Sequence, residues 1–97
     1  MMKNLIDLYN YISRNDGKFS DWYVGISQNP EHRLFTQHKV SKQSGTWSYT
    51  PLTKQKIARA FEQVLIAFGC KGGGGGSDNE LLSVYAYKIT QYTDEKA

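Results

Sequence analysis

The stretch WYVGISQNPEHRLFTQH, residues 22–38, decides the fold because it joins a strand, a turn and a capped helix. Its first six residues are mostly aromatic or β-branched, which favours a strand. Gly25 lies inside that strand, where a glycine usually marks a bulge or a close backbone approach. We therefore expect a strand over residues 22–27 with one of these features at Gly25.

The second half of the stretch predicts a helix over about residues 30–40. Asn29 can cap it, because its side-chain oxygen accepts an amide hydrogen of the first turn. Pro30 suits the first helical position, since it has no amide hydrogen to leave unpaired. The polar flank of this helix carries Arg33, Gln37 and His38. We expect this flank and the strand residue Tyr23 to face one small patch.

The remaining elements follow from the spacing of apolar residues. A first helix is predicted over about residues 4–13, and a long helix ends near residue 68 with Gly69 as its C-cap. Residues 82–89 alternate in the manner of a strand. Two strands are few for a stable sheet, which leaves room for a third near residues 44–49. The apolar stripe of the long helix consists of Ile57, Phe61, Val64, Leu65 and Phe68.

Two segments are predicted to lack regular structure. The glycine-rich segment 71–79 is expected to be a flexible loop, because five consecutive glycines cost entropy to order. Lys71 precedes these glycines, whereas a phosphate-binding loop needs a lysine after them. The polar tail, residues 93–97, is expected to fray.

The 97 residues are expected to form one domain, residues 1–97. The element order predicts an α+β fold in which a small antiparallel sheet is packed by about three helices. A hydrophobic content of 39% and an aromatic content of 13% argue against a disordered chain. Cys70 cannot form an internal disulfide, and no stretch approaches the roughly 20 apolar residues of a membrane span. We expect a cytoplasmic protein with no membrane partner.

Positive charge is concentrated in the middle of the chain. No acidic residue occurs from His32 to Phe61, although this window contains half of all lysines and arginines. Such a block favours phosphate binding, and a solvated basic face is the alternative. The residues we expect to contribute to nucleic-acid binding are Lys39, Lys42, Lys54, Lys56 and Arg59.

The order Tyr23-Val24-Gly25, then Arg33, then His38 resembles the GIY-YIG nuclease domain. In that family a tyrosine-x-glycine strand leads through a short loop into a helix that carries an arginine, often with a histidine about one turn later. The motif is moderately specific and covers roughly a fifth of this chain. The later helix around Glu62 resembles the family's helix with the metal-binding glutamate.

The resemblance implies a metal-dependent endonuclease that hydrolyses nucleic-acid phosphodiester bonds. Glu62 would hold Mg²⁺, for which one carboxylate with water and substrate phosphate can suffice. Arg33 would bind the scissile phosphate and His38 would assist. Tyr23 would help to activate water if its pKa were lowered. Each residue also has a plainer explanation: a core tyrosine, a solvated arginine, a histidine on a helix flank, and a boundary glutamate beside Arg59.

The family's first strand, Gly-Ile-Tyr, has no counterpart before Asp21. The segment YAYKIT, residues 85–90, resembles that strand at the other end of the chain. Two interpretations stay open. In a circularly rearranged domain this strand pairs antiparallel with residues 23–27, and Tyr87 replaces the first-strand tyrosine. In the ordinary order it merely follows the glutamate helix. Asn79 is the one candidate for the family's late asparagine.

Two other functions remain open beside the nuclease. A catalytically inactive GIY-YIG-like nucleic-acid-binding module predicts that Tyr23, Arg33 and Glu62 do not converge. A protein-interaction module predicts an exposed apolar patch instead of a basic cleft. A nuclease this small normally needs a targeting protein or a second copy of itself, so we expect one of these two as a partner. We also expect a nucleic acid as a partner, DNA in preference to RNA.

Overall fold

The computed structural model describes residues 5–15, 18–72 and 80–96, in which helices cover both faces of a β-sheet. Helix α1 comprises Leu5–Arg14 and α2 comprises Gln55–Ala67. A 3-10 turn, Phe19–Asp21, precedes the first strand, and a π-helix spans His32–Gln37. The strands are β1 (Trp22–Ser27), β2 (Trp47–Tyr49), β3 (Thr53–Lys54), β4 (Lys71–Gly72) and β5 (Leu81–Lys88).

Strand β5 is the centre of the sheet. It pairs antiparallel with β1 on one side and with β2 on the other, while β3 pairs with its first residues. Strand β4 pairs parallel with β1. The α+β class is therefore confirmed, as is a third strand near residues 44–49. The purely antiparallel sheet is wrong, because β4 makes it mixed.

A glycine is required where β4 pairs with β1. Gly72 has φ +150°, and a Cβ there would lie 2.3 Å from the carbonyl oxygen of Val24. Only a residue without a side chain fits this close pairing. Of the glycine-rich segment predicted as a loop, Lys71 and Gly72 thus form a strand, whereas residues 73–79, including Asn79, lie outside the described part.

The main core lies between the sheet and helices α1 and α2. Alternate residues of β1 and β5 face these helices, as the pleat of a strand requires. Full burial of a large apolar side chain contributes about 1.5–3 kcal/mol, so this layer supplies most of the driving force for folding. Its buried members include Leu8, Ile12, Trp22, Val24, Ile26, Ala58, Leu65, Leu82, Val84 and Ala86.

The apolar stripe predicted for α2 is wrong in part. Ile57 and Val64 are 48% and 45% exposed, so they face solvent instead of the sheet. The buried face passes through Ala58, Glu62 and Leu65, which are spaced four and three residues apart on one side of the helix. Glu62 is consequently inside, where a boundary position was expected.

Local signals set the ends of the helical segments. The Asn29 Oδ1 accepts the backbone N–H of His32 at 3.2 Å, which confirms the predicted cap. Gly69 has φ +123° and donates its N–H to the carbonyl of Ile66 at 2.9 Å, which confirms it as the residue that ends α2. None of the described helices is long and apolar enough to cross a membrane.

Candidate active site

A second buried cluster lies on the other face of the sheet, under the π-helix. Leu34 and Val40 cover the tyrosines of β1 and β5 there. In the antiparallel register Tyr23 lies opposite Tyr87, and Gly25 lies opposite Tyr85. The hypothesis that the last strand pairs antiparallel with residues 23–27 is therefore confirmed. Because both faces of β5 are covered, its residues from Leu82 to Tyr87 are all buried.

Gly25 accommodates the ring of Tyr85. A Cβ at Gly25 would lie 2.4 Å from both Cζ and the hydroxyl oxygen of Tyr85. The glycine therefore lets the phenol cross the strand and reach the π-helix. The sequence predicted a close approach at Gly25 but did not identify Tyr85 as the residue that makes it.

The π-helix brings Arg33 and His38 together. In an α-helix, residues five apart are rotated by about 140° around the axis. The backbone N–H of His38 instead donates to the carbonyl of Arg33 at 2.8 Å, a π-type bond that stacks the two residues. The Nη2 of Arg33 then lies 3.4 Å from the Nε2 of His38. The predicted α-helix over residues 30–40 is wrong in type, and this difference builds the site.

The imidazole of His38 is held at both ring nitrogens. Its Nδ1 lies 2.6 Å from the carbonyl oxygen of Asp94, which can only accept, so Nδ1 carries the hydrogen. Its Nε2 is then an acceptor for the hydroxyl of Tyr85 at 2.9 Å. The hydroxyl of Tyr87 lies 3.1 Å from Nδ1. Burial lowers the pKa of His38 below its ordinary value; the hydrogen bond to the Asp94 carbonyl opposes this shift, and the positive charge of Arg33 adds to it.

The chain end is anchored to this histidine. The backbone N–H of Asp94 donates to the carbonyl of His38 at 2.7 Å, in addition to the bond that its own carbonyl accepts. Two hydrogen bonds between the same residues fix the tail against the end of the π-helix. The prediction that the tail frays is wrong for Asp94.

Arg33 is oriented by its neighbours. Its Nε donates to the hydroxyl of Tyr85 at 3.4 Å, and its Nη1 donates to the side-chain oxygen of Gln37. Arg33 is only partly buried. Arg33 is thus a positioned cation at the edge of a buried polar network.

The three tyrosines differ in access. Tyr85 and Tyr87 are 1% and 0% exposed, whereas Tyr23 is partly exposed and stacks on Tyr87 with ring centroids 5.3 Å apart. Burial raises the pKa of Tyr85 to about 12 and also raises that of Tyr23 and Tyr87. The phenols are therefore protonated at neutral pH. A lowered pKa was the condition for Tyr23 to help activate water, and burial instead raises the pKa of Tyr23 in the protein without metal.

Glu62 is the catalytic and metal-binding candidate on α2. It is 6% exposed, and its Oε2 is buried without a hydrogen-bond partner among the described residues. Burial raises the pKa of its carboxyl, and Arg59 opposes this shift. The carboxylate charge in turn contributes to the raised pKa of Tyr23 and Tyr85, so it lies within electrostatic reach of the tyrosine cluster.

The side chains around Glu62 limit which metal ion could bind there. The described residues contain no group of three or more histidine, cysteine, aspartate or glutamate side chains that could hold a metal ion. The unpartnered Glu62 Oε2 nevertheless fits Mg²⁺, which is often bound through one or two carboxylates with water and substrate phosphate completing the shell. A zinc site, which needs three or four protein ligands, does not fit these residues.

The basic residues expected to bind nucleic acid are divided between two places. Lys54 lies opposite Leu81 at the start of β5, and Lys56 and Arg59 follow it in α2. Lys39 and Lys42 lie near the other end of β5, where the Lys88 N–H bonds to Thr46. At about 3.3 Å per residue these ends are roughly 23 Å apart. Of these five basic residues, Lys39 and Lys42 thus lie at the same end of the sheet as Arg33 and His38.

Comparisons of this chain with known protein families, with characterised proteins and with solved structures yielded no match.

Proposed function

We propose that this chain is a metal-dependent endonuclease-type domain that hydrolyses phosphodiester bonds of nucleic acid, with DNA as the preferred substrate. The observation that carries this proposal is the convergence of Tyr23, Arg33 and the β5 tyrosines around the buried imidazole of His38. Glu62 acts on the same cluster through its charge. An inactive module predicts that Tyr23, Arg33 and Glu62 do not converge; Tyr23 and Arg33 meet at His38, whereas Glu62 reaches this cluster through its charge alone.

Arg33 binds the scissile phosphate in this proposal. Its planar fork of donors matches two phosphate oxygens, which a lysine cannot do. Tyr85 and Gln37 hold the guanidinium before substrate arrives, so less side-chain freedom is lost on binding. Tyr85 and His38 are buried and act as positioning residues for Arg33.

Glu62 and Tyr23 serve the attacking water. Glu62 would hold Mg²⁺ through Oε2, and a bound Mg²⁺ supplies charge stabilisation at the phosphate and lowers the pKa of bound water. Tyr23 has a raised pKa, so it acts as a hydrogen-bond donor that orients the water and not as a base. Tyr87 supports Tyr23 by stacking and does not contact substrate, since it is fully buried.

We infer that the domain is a circularly rearranged relative of the GIY-YIG fold. The pairing of Tyr23 with Tyr87 on adjacent antiparallel strands supports this inference over the ordinary strand order. We also place the protein in the cytoplasm, because its single cysteine, Cys70, is free and the fold does not depend on a disulfide.

The direct test is Mg²⁺-dependent cleavage of a labelled DNA duplex and nicking of supercoiled plasmid. Wild type should cut, and Glu62→Gln and Arg33→Lys should each lose about 10²–10³-fold in rate, the usual cost of removing one group that stabilises transition-state charge. Matched controls are Glu80→Gln and Arg14→Lys, which change the same chemistry at exposed positions. Circular dichroism confirms that every variant is folded.

Two results would contradict the proposal. If Glu62→Gln cleaved DNA at the wild-type rate, Glu62 would not be the metal ligand. A folded wild type that cuts neither DNA nor RNA with Mg²⁺ or Mn²⁺ would overturn the nuclease itself and favour an inactive nucleic-acid-binding module.

A protein-interaction module is the second candidate, because α2 has an exposed apolar side. Ile57 and Val64 line a groove of about 410 Å³, and Lys56 is the one charged residue among its described lining. This apolar area fits an apolar surface on a partner, and a second copy, which carries the same area, is the partner we test. Sedimentation velocity should show self-association that Ile57→Asp abolishes. The control Ile6→Asp, on an exposed α1 residue, should leave it unchanged. A protein that stays monomeric at every concentration would exclude self-association through this groove.

A further inference from the structure

The chain reverses direction after strand β5 and returns to the candidate active site. Thr93 closes this turn, because its Oγ1 accepts the N–H of Thr90 at 3.0 Å and donates to the Thr90 carbonyl at 3.0 Å. Residues 93–96, which we call the strap, continue from the turn to His38. The strap is thus fixed by hydrogen bonds at the turn and at the site.

Two backbone hydrogen bonds place the strap against the imidazole of His38. The Asp94 N–H donates to the His38 carbonyl at 2.7 Å, and the Asp94 carbonyl accepts the Nδ1 hydrogen of His38 at 2.6 Å. The hydroxyl of Tyr87 lies 3.1 Å from the same Nδ1. His38 and Tyr87 are fully buried, whereas Asp94 is partly exposed. The strap therefore covers His38 and Tyr87 on this side.

Both carboxylates of the strap act on the tyrosines of the site. Burial is the main cause of the raised pKa of Tyr87, and the charges of Asp94 and Glu95 add to it. Burial is also the main cause of the raised pKa of Tyr23, to which the charge of Glu95 adds. The negative charge of the strap thus reaches the Tyr23 hydroxyl, where the proposed function places the attacking water and the phosphate bound by Arg33.

The strap can open without unfolding the domain. Its residues Thr93, Asp94, Glu95 and Lys96 are all polar, so they bury little apolar area of their own. Water can replace the two backbone hydrogen bonds to His38, which makes their net contribution small. Segments with few buried apolar contacts open locally at low cost.

We propose that the strap is an autoinhibitory segment, which keeps polyanions away from the candidate active site until it detaches from His38. A phosphate that approaches Tyr23 is repelled by Glu95 while the strap is closed. Once the strap moves, its two negative charges leave with it. This inference rests on the proposed function, because the excluded ligand is the nucleic acid that this site takes.

The first test measures DNA binding in EDTA, so that no cleavage occurs. A fluorescent DNA duplex is titrated by anisotropy against wild type and a neutral strap, the double variant Asp94→Asn and Glu95→Gln, which keeps both backbone bonds to His38. Two unit charges about 8 Å from a phosphate change the affinity by about 3-fold at about 50 mM salt. The neutral strap should bind tighter by this factor, and the gain should shrink as salt rises. The matched control Glu80→Gln removes an exposed carboxylate at the far end of β5 and should leave the affinity unchanged.

The second test follows the strap itself by NMR hydrogen exchange. The Asp94 amide is protected in the free protein through its bond to the His38 carbonyl. Saturation with DNA in EDTA should raise the exchange rate of this amide by about 10-fold or more, because the strap opens. The control is the Val84 amide, which donates to the Thr50 Oγ1 at 3.0 Å inside the fold and should stay protected.

Equal DNA affinity of wild type and the neutral strap would overturn the inference, as would an Asp94 amide that stays protected with DNA bound. A chain shortened after Thr93 that folds but binds DNA more weakly would also overturn it, since the strap would then belong to the binding site. Loss of Mg²⁺-dependent cleavage in Glu95→Gln would make Glu95 a metal ligand instead of an inhibitor.

The same experiments separate the strap from the nuclease. Tighter DNA binding by the neutral strap in a protein that never cuts would keep the strap and reject the nuclease. Cleavage at the same rate and affinity in wild type and the neutral strap would keep the nuclease and reject the strap. No DNA binding by either protein would reject both.

Discussion

Replacement of Glu62 by methionine is expected to stabilise the protein while it removes the proposed metal ligand. The Oε2 of Glu62 is buried and has no hydrogen-bond partner among the described residues. An unsatisfied buried polar group costs about 1–3 kcal/mol, and a charged group costs more. Methionine has a similar volume and no polar atom that needs a partner. Glu62→Met should therefore raise the free energy of unfolding by about 1–3 kcal/mol at pH 7.5, and each kcal/mol raises Tm by about 4–8 °C.

The gain should depend on pH in a defined direction. Burial raises the carboxyl pKa of Glu62 in the folded protein above its ordinary value of 4.5, so the folded state binds the proton more tightly than the unfolded state. Proton binding by Glu62 therefore stabilises the wild-type fold below the pKa of the unfolded state, and this stabilisation is lost as pH rises through the higher pKa of the folded state. The stability difference between Glu62→Met and wild type should thus be largest at pH 7.5 and smaller near pH 4.

Urea unfolding followed by tryptophan fluorescence measures both variants at the two pH values. The control Glu80→Gln changes an exposed acid and should stay within about 0.5 kcal/mol of wild type. Mg²⁺ at ten times its Kd should stabilise wild type by about 1.4 kcal/mol and should not stabilise Glu62→Met. A loss of stability at pH 7.5, or a stability difference independent of pH, would contradict this prediction and would show that the Glu62 carboxylate has a partner that stabilises it in the folded protein.

Three further predictions concern the tyrosine and histidine network. Gly25→Ala should lower the free energy of unfolding, measured in urea, by about 1–3 kcal/mol, because its Cβ would lie 2.4 Å from the ring of Tyr85. The double variant Gly25→Ala with Tyr85→Ala should lose less stability than the sum of the two single variants. Tyr85→Phe should lower the free energy of unfolding by about 1–2 kcal/mol and should lower the cleavage rate, because the hydroxyl that bonds to His38 and Arg33 is lost. A fully active Tyr85→Phe variant would show that Arg33 does not need this hydroxyl. NMR should find the pKa of His38 below 6.5 with the hydrogen on Nδ1. The stability that this lowered pKa contributes is present above pH 6.5 and is lost as pH falls through the pKa of His38 in the folded state. His38→Gln should abolish this pH dependence of the free energy of unfolding, and the control His32→Gln should retain it.

Much of the local structure was predictable from the sequence because its causes lie within a few residues. The strand at Trp22–Ser27 follows from aromatic and β-branched residues, and the caps at Asn29 and Gly69 follow from side-chain chemistry and backbone freedom. The close approach at Gly25 was also predictable, since a glycine inside a strand needs a reason.

Other features depend on residues far apart in the chain. The π-helix was not predictable, because its register is held through His38 by Tyr85 and Asp94, which lie 47 and 56 residues away. The burial of Glu62 was missed because the hydrophobic pattern of α2 allows two faces, and packing against β1 and β5 selects the one with Ala58 and Leu65. Tyr85 gave no signal beyond those of an ordinary strand residue.

The sequence alone predicts strands β1, β2 and β5, the caps at Asn29 and Gly69, the two α-helices and the candidates Tyr23, Arg33, His38, Glu62 and Tyr87. Tertiary structure alone decided their neighbours. Propensity and capping act within one or two turns, whereas the partner of a strand and the buried side of a helix depend on the rest of the chain. The insertion of β5 between β1 and β2 is such a choice, and it places Tyr85 across Gly25 and beneath Arg33 and His38.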